Sequence, residues 1–218
     1  RQVARYCREI EESGIDRVQI LSPFRSDGAA SAEQLNEAIR EVVNPFRSAE
    51  EEINIGVKVF RVNDRIMQTK NTAKVSNGDL GFIRYIKNDE DGTRVGLDFG
   101  VGRELEYGIE DMVNLDLAYA TTIHKAMGSE YDTVIMPLLK AHTVMLYRNL
   151  LYTGITRAKK RVVLIGQKQV LFMAIHRNEI GKRNTLLGER IHLYYKAYAR
   201  RAGIPVPANL EKELKHAG

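Results

Sequence analysis

Cysteine and tryptophan are nearly absent from this sequence of 218 residues, which contains one Cys and no Trp. A single cysteine, Cys7, excludes an internal disulfide framework and a Cys-rich structural zinc site. Gly and Pro, with 17 and 5 residues, are at ordinary levels, and 44% of the residues are apolar, so a disordered or low-complexity chain is excluded. The composition indicates a globular protein of a reducing compartment, and we expect it in the cytoplasm.

Long hydrophobic runs are also missing, because no apolar stretch approaches the roughly 20 residues that a membrane span requires. We therefore expect no membrane contact. The opening residues, RQVARYCREIEESGIDR, alternate charged and apolar positions like a helix and resemble neither a secretory signal nor an initiator terminus. We expect the chain to be an excised fragment. Its net charge of +5 permits a polyanionic partner without requiring one.

The sequence further lacks the motifs that hold a nucleoside triphosphate. It has no G-x-x-x-x-G-K-[ST] run and no strand that ends in a DE-type magnesium-binding pair. Without such a loop there is no cradle for the β- and γ-phosphates. We expect the chain alone to be inactive as an ATPase and to hold no cofactor tightly, and we assign no residue to a metal.

Hydrophobic periodicity predicts alternating helices and strands at both ends of the chain. The first part predicts a helix that stops at Gly14, a strand at 17–22, and a second helix that begins after Ser31 with capping-box spacing and ends before Pro45. Near the other end, the runs TTIH, TVIMPL and RVVLIG are too apolar for an exposed sheet and predict buried parallel strands. Helices are predicted around 145–152, 167–178 and 189–202.

A different texture separates these two parts. From about residue 55 to 117, short β-prone runs alternate with Asn, Asp and Gly turns, which predicts a small barrel. The simplest partition is an α/β domain made of residues 1–54 and 118–218, with a β-barrel inserted at 55–117. Phe60, Phe82 and Tyr85 of the barrel have the chemistry to stack on bases, but alternation predicts that at least two of them are core residues.

The segment TTIHKAMGSEYDTVIMPL, residues 121–138, places a polar loop between two of the predicted buried strands. Thr122 and His124 can donate hydrogen bonds, and Lys125 adds charge. Gly128 allows a close approach of the backbone, and Glu130 can hold a sugar hydroxyl or a cation. Together they can grip a phosphodiester backbone. Singly, each has a plainer role: a strand residue, a hydrogen-bonded structural histidine, a simple turn.

A second segment, LLYTGITRAKKRVVLIG at 150–166, places Arg157 beside a predicted buried strand. The planar guanidinium matches phosphate oxygens bidentately and can clamp a transferring phosphoryl group. The alternative is an ion-pairing surface arginine. For Lys159 and Lys160 we favour a solvated charge run that protects the strand.

Together, TTIHKAMGSEYDTVI and LLYTGITRAKKRVVLIG resemble motifs V and VI of superfamily 1 DNA helicases. SPFRSDGAASAEQLNEAIREVVNP resembles the motif IV stretch of the RecD-like branch, and RVNDRIMQTKN with NGDLGFI is similar to the SH3-like barrel inserted in that branch. The resemblance extends from Arg17 to about Arg190. It implies a RecA-like, P-loop NTPase-type parallel sheet domain that lacks the P-loop, with the small barrel between motifs IV and V.

In function, the resemblance implies the C-terminal part of an ATP-dependent DNA helicase of DNA repair and recombination that moves 5′ to 3′. ATP and Mg²⁺ would be bound by an N-terminal RecA-like domain of the same protein, and the track would be single-stranded DNA. Other subunits of a recombination complex are further candidate partners.

Carried over by position, the resemblance makes Arg157 the arginine finger that reaches the γ-phosphate. The residues that it assigns to ATP are Arg157, Gly128, Glu130 and Arg25. The residues that it assigns to the DNA backbone are Thr122, His124 and Lys125. Tyr152 and Thr153 are expected to pack and orient the helix before Arg157.

One departure is Met127, which stands where the RecD-like pattern has Gln and the UvrD-like pattern has Lys, so a polar contact is lost. Together with the missing P-loop, Met127 also fits an alternative of another class. In that alternative the chain is a non-catalytic nucleic-acid or protein interaction module that kept the RecA-like scaffold.

Overall fold

A computed structural model describes residues 2–26, 28–90, 92–177 and 187–204. Their contacts separate the chain into two units, residues 1–178 and 179–218, and the second contains a single described helix. In chain order the elements are α1 (Gln2–Ser13), β1 (Val18–Ser22), α2 (Ala32–Val43), β2 (Glu52–Ile55), β3 (Lys58–Arg61), β4 (Arg65–Gln68), β5 (Leu80–Asp89), β6 (Gly92–Asp98), β7 (Glu104–Gly108), α3 (Ile109–Met112), β8 (Leu115–Leu117), β9 (Ala120–Thr122), β10 (Tyr131–Leu138), α4 (Arg148–Ile155), β11 (Ala158–Gly166), α5 (Lys168–His176) and α6 (Leu187–Ala202).

Four strands form the parallel sheet, in the order β11-β10-β1-β9. The three strands predicted from apolar runs near the end of the chain are β9, β10 and β11, and their parallel pairing confirms the parallel sheet. The prediction that RVVLIG is buried was wrong, because β11 lies at the edge of the sheet and its residues are half-buried or exposed. The predicted helices before Gly14 and after Ser31 are also confirmed. Gly14 has φ +91°, and the Ser31 hydroxyl accepts a hydrogen bond from the Gln34 N–H at the start of α2.

Two apolar clusters cover the two faces of this sheet. One contains Tyr6 of α1, Leu35 and Ile39 of α2, and Ile20 of β1. The other joins Leu150 of α4 to strand and α5 residues. Helices therefore pack on both faces, as expected for a sheet whose strands are too apolar to face water. The helices predicted at 145–152, 167–178 and 189–202 correspond to α4, α5 and α6, and Asn178 lies outside the described residues.

The inserted region contains two antiparallel sheets around one core. Strands β7-β6-β5-β4-β8 form five-stranded antiparallel pairing, and β2 and β3 form a separate hairpin that begins at Glu52, before the expected start at 55. Residues of both sheets share one apolar cluster that includes Phe60, Ile66 and Leu115. We call β2 to β8, residues 52–117, the barrel.

The expectation that at least two of three barrel aromatics are core residues was wrong. Phe60 is fully buried, whereas Phe82 and Tyr85 are half-buried and lie outside the core. Each of the two is covered by a cation instead, because Arg84 lies over the Phe82 ring and Lys87 over the Tyr85 ring. A register shift in β5 between Ile83 and Tyr85 breaks the simple alternation that the expectation assumed.

Candidate functional site

The loop at residues 123–130 connects the carboxyl end of β9 to the amino end of β10, and so it runs between the two opposite ends of the parallel strands. Thr122 ends β9 level with Ser22 of β1, and Tyr131 starts β10 two residues before Thr133, the partner of Val18. At about 3.3 Å per residue, the two ends of the loop are about 20 Å apart along the strands. The loop therefore joins the carboxyl edge of the sheet to its amino edge.

Thr122, His124 and Lys125 stand together at the carboxyl edge. The Thr122 hydroxyl accepts a hydrogen bond from the Lys125 N–H at 3.2 Å, which shapes the turn. His124 is exposed, and its ring makes no hydrogen bond to any described residue. The plainer role of a buried structural histidine belongs to His142, whose Nδ1 and Nε2 lie 3.2 and 2.7 Å from two backbone carbonyl oxygens.

A groove separates this edge from the barrel. It consists of two adjoining cavities of about 480 and 650 Å³. The residues that line both cavities are Arg25, Lys58, Met67, Asp116 and Lys125. Thr122 lines the first cavity, while His124 and Met127 line the second opposite Thr69, Asn77 and Gly78 of the barrel. We call the two cavities together the junction groove.

The carboxylate of Asp116, on β8, lies at the centre of the junction groove. Its Oδ1 is 2.8 Å from the Lys58 Nζ, and its Oδ2 is 2.8 Å from the Lys125 Nζ and 3.6 Å from Nη2 of Arg25. Burial alone would raise the pKa of Asp116, but the hydrogen bonds from Lys125 and Lys58 outweigh it and lower the pKa below its usual value. Asp116 is therefore ionised at neutral pH.

Arg157 lies at the other end of the loop, just before β11. Its Nη1 is 3.3 Å from the Ser129 carbonyl oxygen, its Nε is 3.3 Å from the Thr153 carbonyl oxygen, and its Nη2 is 3.3 Å from the Thr156 hydroxyl. These are long contacts with neutral acceptors, and no described carboxylate forms an ion pair with Arg157. The ion-pairing alternative considered for Arg157 is therefore not found in the described chain.

The neighbouring charges differ from Arg157 in this respect. Lys160 pairs with Asp132 at 2.8 Å, and Lys159 pairs with Glu130 at 3.5 Å. Their side chains are 68% and 53% exposed, which fits the solvated charge run favoured from the sequence. Arg157 is half-buried and keeps a guanidinium without a counter-charge.

The other residues assigned to ATP are divided between the two edges. Gly128 has φ +90°, a conformation that glycine adopts at no steric cost, and Glu130 follows near Arg157 at the amino edge. Arg25 lies at the carboxyl edge, where it shares Asp116 with Lys125 and pairs with Glu33 at 3.2 Å. The structure thus brings Arg25 together with the DNA-assigned residues and not with Arg157.

The helix before Arg157 is not held as expected. Tyr152 is 69% exposed, so the expectation that it packs was wrong. Thr153 donates its hydroxyl hydrogen to the Asn149 carbonyl oxygen one turn earlier, an interaction within α4. The packing side of α4 is formed by Leu150, Leu151 and Gly154, and a Cβ at Gly154 would lie 2.6 Å from the end of the Met136 side chain, which would have to move.

Two negative findings concern the described residues alone. They contain no group of three or more His, Cys, Asp or Glu side chains placed to hold a metal ion. Each of their helices is too short or too polar to cross a lipid bilayer.

Sequence reasoning missed Lys58 and Asp116, which complete the junction groove. Lys58 starts a short strand after a Gly56 turn, and Asp116 interrupts the apolar run of β8. A carboxylate between two leucines was the available signal, but its partners lie 58 and 9 residues away in sequence, and only the fold brings them together.

These features define a RecA-like α/β domain with an inserted β-barrel, and comparison with known proteins agrees. The family model of the UvrD-like helicase C-terminal domain matches residues 117–165. The family model of the ATP-dependent RecD-like DNA helicase SH3 domain matches residues 35–99.

Among curated proteins, the ATP-dependent RecD2 DNA helicase of Deinococcus radiodurans is 36% identical over 89% of this chain and 26% of its own length. The RecBCD enzyme subunit RecD of Mycolicibacterium smegmatis is 31% identical over 54% of this chain and 20% of its own. The chain thus spans about a quarter of the first relative.

Among solved structures, the Pif1 helicase from Bacteroides in complex with ADP-AlF3 and ssDNA superposes with a TM-score of 0.51. At 14% identity, over 91% of this chain and 54% of that one, this likeness shows the fold. The chain is thus similar to RecD-like DNA helicases in two parts, one that matches a UvrD-like helicase C-terminal domain and one that matches the SH3 domain of the RecD-like helicases.

Proposed function

We propose that this chain is the part of an ATP-dependent DNA helicase that supplies the arginine finger and one section of the single-stranded DNA track. The observation that carries the proposal is the loop at 123–130. One end of it presents Thr122, His124 and Lys125 to the junction groove, and the other end contacts the unpaired guanidinium of Arg157 through the Ser129 carbonyl oxygen.

The residues present fit one half of an ATP site. Arg157 has no described counter-charge, and its long contacts to neutral oxygens are weak enough to be exchanged for phosphate oxygens. The phosphate cradle and the Mg²⁺ ligands are missing from the sequence, so a preceding RecA-like domain of the same protein would provide them. The chain alone is accordingly proposed to be inactive.

Bound ATP with Mg²⁺ supplies the phosphoryl group whose loss drives the motor. The role of Arg157 is to stabilise the charge that develops on the γ-phosphate. Its movement toward the nucleotide would remove a hydrogen bond from the Ser129 carbonyl oxygen. Because Ser129 belongs to the same short loop as Lys125, the grip on DNA at the carboxyl edge would change with the nucleotide state.

The position of Arg25 favours the DNA side of this division. Its guanidinium lies at the carboxyl edge with Lys125, whereas Arg157 lies at the amino edge, about 20 Å away along the strands. This separation is too large for both side chains to reach one phosphate group. We therefore propose Gly128, Glu130 and Arg157 for the nucleotide side, and Arg25 with Thr122, His124 and Lys125 for the DNA side.

Arg157→Ala in the full-length protein tests the arginine finger. Loss of such a group lowers the rate by about 10³ to 10⁵, while single-stranded DNA binding should persist. Lys160→Ala is the matched control, since it removes a nearby cation that already has a carboxylate partner. ATPase activity of Arg157→Ala close to that of Lys160→Ala would contradict the proposal and favour the non-catalytic module.

Direction, partners and module boundaries complete the proposal. We propose movement from 5′ to 3′, tested by strand displacement on substrates with a 5′ or a 3′ single-stranded tail. Relatives named as RecBCD subunits suggest association with other recombination subunits, tested by co-purification. The barrel is proposed to be an insertion at 52–117, which begins three residues before the boundary expected from the sequence, in an α/β domain formed by the residues on either side. Limited proteolysis at the two junctions tests this boundary.

A further inference from the structure

We propose that Lys58, Lys125 and Arg25 form a subsite for a DNA phosphate, and that Asp116 occupies this subsite as an internal competitor when DNA is absent. The inference rests on the proposed function, because it takes single-stranded DNA as the ligand of the junction groove. It adds Lys58, a residue of the barrel, to the residues proposed to contact DNA. It also gives the Asp116 carboxylate a role, as an anion that competes with the DNA phosphate.

The three cations around the Asp116 carboxylate are arranged more like the binding site of an anion than like a simple ion pair. Lys58 comes from the barrel, Arg25 from the loop after β1, and Lys125 from the loop after β9, and all three face one carboxylate. Two cationic donors lie 2.8 Å from the two oxygens of Asp116, which is the spacing of charge-assisted hydrogen bonds to a phosphate. The Asp116 side chain is 21% exposed, so the cluster opens to the groove.

The three cations differ in how firmly they are held. Lys58 also donates to the Leu115 carbonyl oxygen at 2.8 Å, so it is fixed by the barrel. Lys125 has Asp116 as its one described side-chain partner and retains two free N–H donors. Arg25 lies farther from Asp116, at 3.6 Å, and its side chain is 59% exposed. Lys125 and Arg25 can therefore turn to an incoming phosphate while Lys58 stays in place.

The charge balance favours exchange. Three cations and one carboxylate line the second cavity, so this cavity is positive even with Asp116 ionised. The first cavity adds Arg40 and the carboxylates Glu33 and Glu37, of which Glu33 pairs with Arg25 at 3.2 Å. A phosphodiester that binds Lys125 and Arg25 must displace them from Asp116. The competition weakens DNA binding, and an attenuated grip suits a domain that must release DNA in each cycle.

A purely structural role is the alternative, in which Asp116 only ties the barrel to the sheet. The two roles differ in sign. If Asp116 is structural, Asp116→Asn should leave DNA affinity unchanged or lower it. If Asp116 is a competitor, the same variant should bind DNA more tightly, and the gain should depend on Lys125.

The experiment measures binding of fluorescein-labelled oligothymidylate to the full-length protein by anisotropy, without nucleotide, over a series of salt concentrations. The variants are Asp116→Asn, Lys125→Gln and their combination. Glu104→Gln is the matched control, because it removes the same charge from an exposed barrel residue that lines neither cavity. Asp116→Glu restores the charge and serves as the rescue.

We expect Asp116→Asn to bind about three- to tenfold more tightly, with a log–log salt slope steeper by about 0.7, the value for one additional phosphate contact on a single strand. Glu104→Gln should change the affinity less than about twofold, as expected for a screened charge outside the groove. In the Lys125→Gln background, Asp116→Asn should have little effect on the DNA affinity. In the protein that retains Lys125, Asp116→Glu should have an affinity close to that of the unsubstituted protein.

Three results would overturn the subsite while leaving the proposed function intact. They are weaker or unchanged binding by Asp116→Asn, an equal gain from Glu104→Gln, and a gain that persists without Lys125. Failure of the unsubstituted protein to bind the oligonucleotide would instead overturn the DNA track itself. Thermal unfolding of each variant ensures that only folded proteins are compared.

Discussion

Two polar clusters connect the barrel to the parallel sheet, and they differ in their access to water. One is buried and centres on Arg65 and Asp64, and the other is the Asp116 cluster in the junction groove. Both contain Arg or Lys and an aspartate within a few residues of a barrel strand. Only the second can contact a ligand, since Arg65 and Asp64 of the first are fully buried.

The buried cluster uses its groups as structure. The Arg65 Nη1 donates to the Val18 carbonyl oxygen at 2.8 Å and to the Tyr6 hydroxyl at 3.3 Å, linking β4 to β1 and α1. The Asp64 carboxylate accepts hydrogen bonds from Asn44, the Arg61 N–H and the Tyr119 hydroxyl. These hydrogen bonds join the barrel to the sheet and to α1, so this side of the junction holds the barrel in one orientation.

The comparison teaches that burial and partner count decide the role of a charge, and not residue type. A buried charge that is held by hydrogen bonds is costly to disturb and cannot reach a ligand. A half-exposed charge with a single partner contributes little to stability but can exchange that partner for a ligand. The predictions below test this division.

The largest effect is expected for Arg65→Ala. It removes a fully buried side chain, opens a cavity and leaves the Val18 carbonyl oxygen without its donor, so unfolding should become easier by about 3 to 5 kcal/mol. Chemical denaturation measures the loss. Arg65→Met, which keeps most of the side-chain volume, should recover part of the lost stability. A loss below about 1 kcal/mol for Arg65→Ala would show that the buried cluster does not hold the barrel in place.

A smaller effect is expected for Tyr119→Phe. The hydroxyl donates to Asp64 at 2.9 Å and accepts from the Arg65 N–H at 3.4 Å, so its removal leaves one buried acceptor with fewer donors. We expect a loss of about 1 to 2 kcal/mol in the free energy of unfolding, with no change in DNA affinity. A change in affinity without a change in stability would reverse the division between the two clusters.

The smallest stability effect is expected for Asp116→Asn. Its partners Lys58 and Lys125 are 36% and 33% exposed, and pairs of this kind contribute about 1 kcal/mol or less. The same denaturation experiment should place this variant close to the unsubstituted protein. A loss comparable to that of Arg65→Ala would mean that the groove cluster is structural.

The two aspartates should also respond oppositely to acid. Asp116 has a lowered pKa, so its stabilising effect is present above the unfolded value near pH 4 and is lost as the pH falls through the folded value. The stability gap between the unsubstituted protein and Asp116→Asn should therefore shrink below about pH 4.

Asp64 has the opposite shift, because burial raises its pKa despite the hydrogen bonds that it accepts. Its protonated form is favoured in the folded state, so stability relative to Asp64→Asn should fall as the pH rises from about 4 through the folded value. Denaturation midpoints of both pairs between pH 3 and pH 7, at steps of about half a unit, separate the two signs. Parallel pH profiles would contradict the contrast.

The elements of the α/β part were predictable from the sequence because each is fixed by local signals. The Ser31 cap, the Gly14 stop and the apolar runs of β9, β10 and β11 require only neighbouring residues. The barrel was predictable as a region of short strands, but β2, β7 and β8 were not assigned as separate strands, since their three to five residues carry little pattern.

The candidate site was predictable only where a motif carries it. Thr122, His124, Lys125 and Arg157 lie in two continuous segments, and the resemblance pointed to them. Asp116 joins the groove through antiparallel pairing of β4 with β8, and Lys58 reaches it from β3 through its contacts with the Leu115 carbonyl oxygen and Asp116. Neither residue could be placed without the fold. The resemblance assigns Arg25 to the nucleotide, whereas the loop after β1 places it at the carboxyl edge, where it shares Asp116 with Lys125.

The most direct test of the account is whether Arg157 connects the nucleotide to the DNA groove. The measurement is the dissociation constant for oligothymidylate of the full-length protein, with and without ADP and aluminium fluoride, for the unsubstituted protein and Arg157→Ala. We predict that the analogue changes the dissociation constant at least about fivefold in the unsubstituted protein and leaves it unchanged in Arg157→Ala. An equal change in both proteins would contradict the role of Arg157 and of the loop at 123–130.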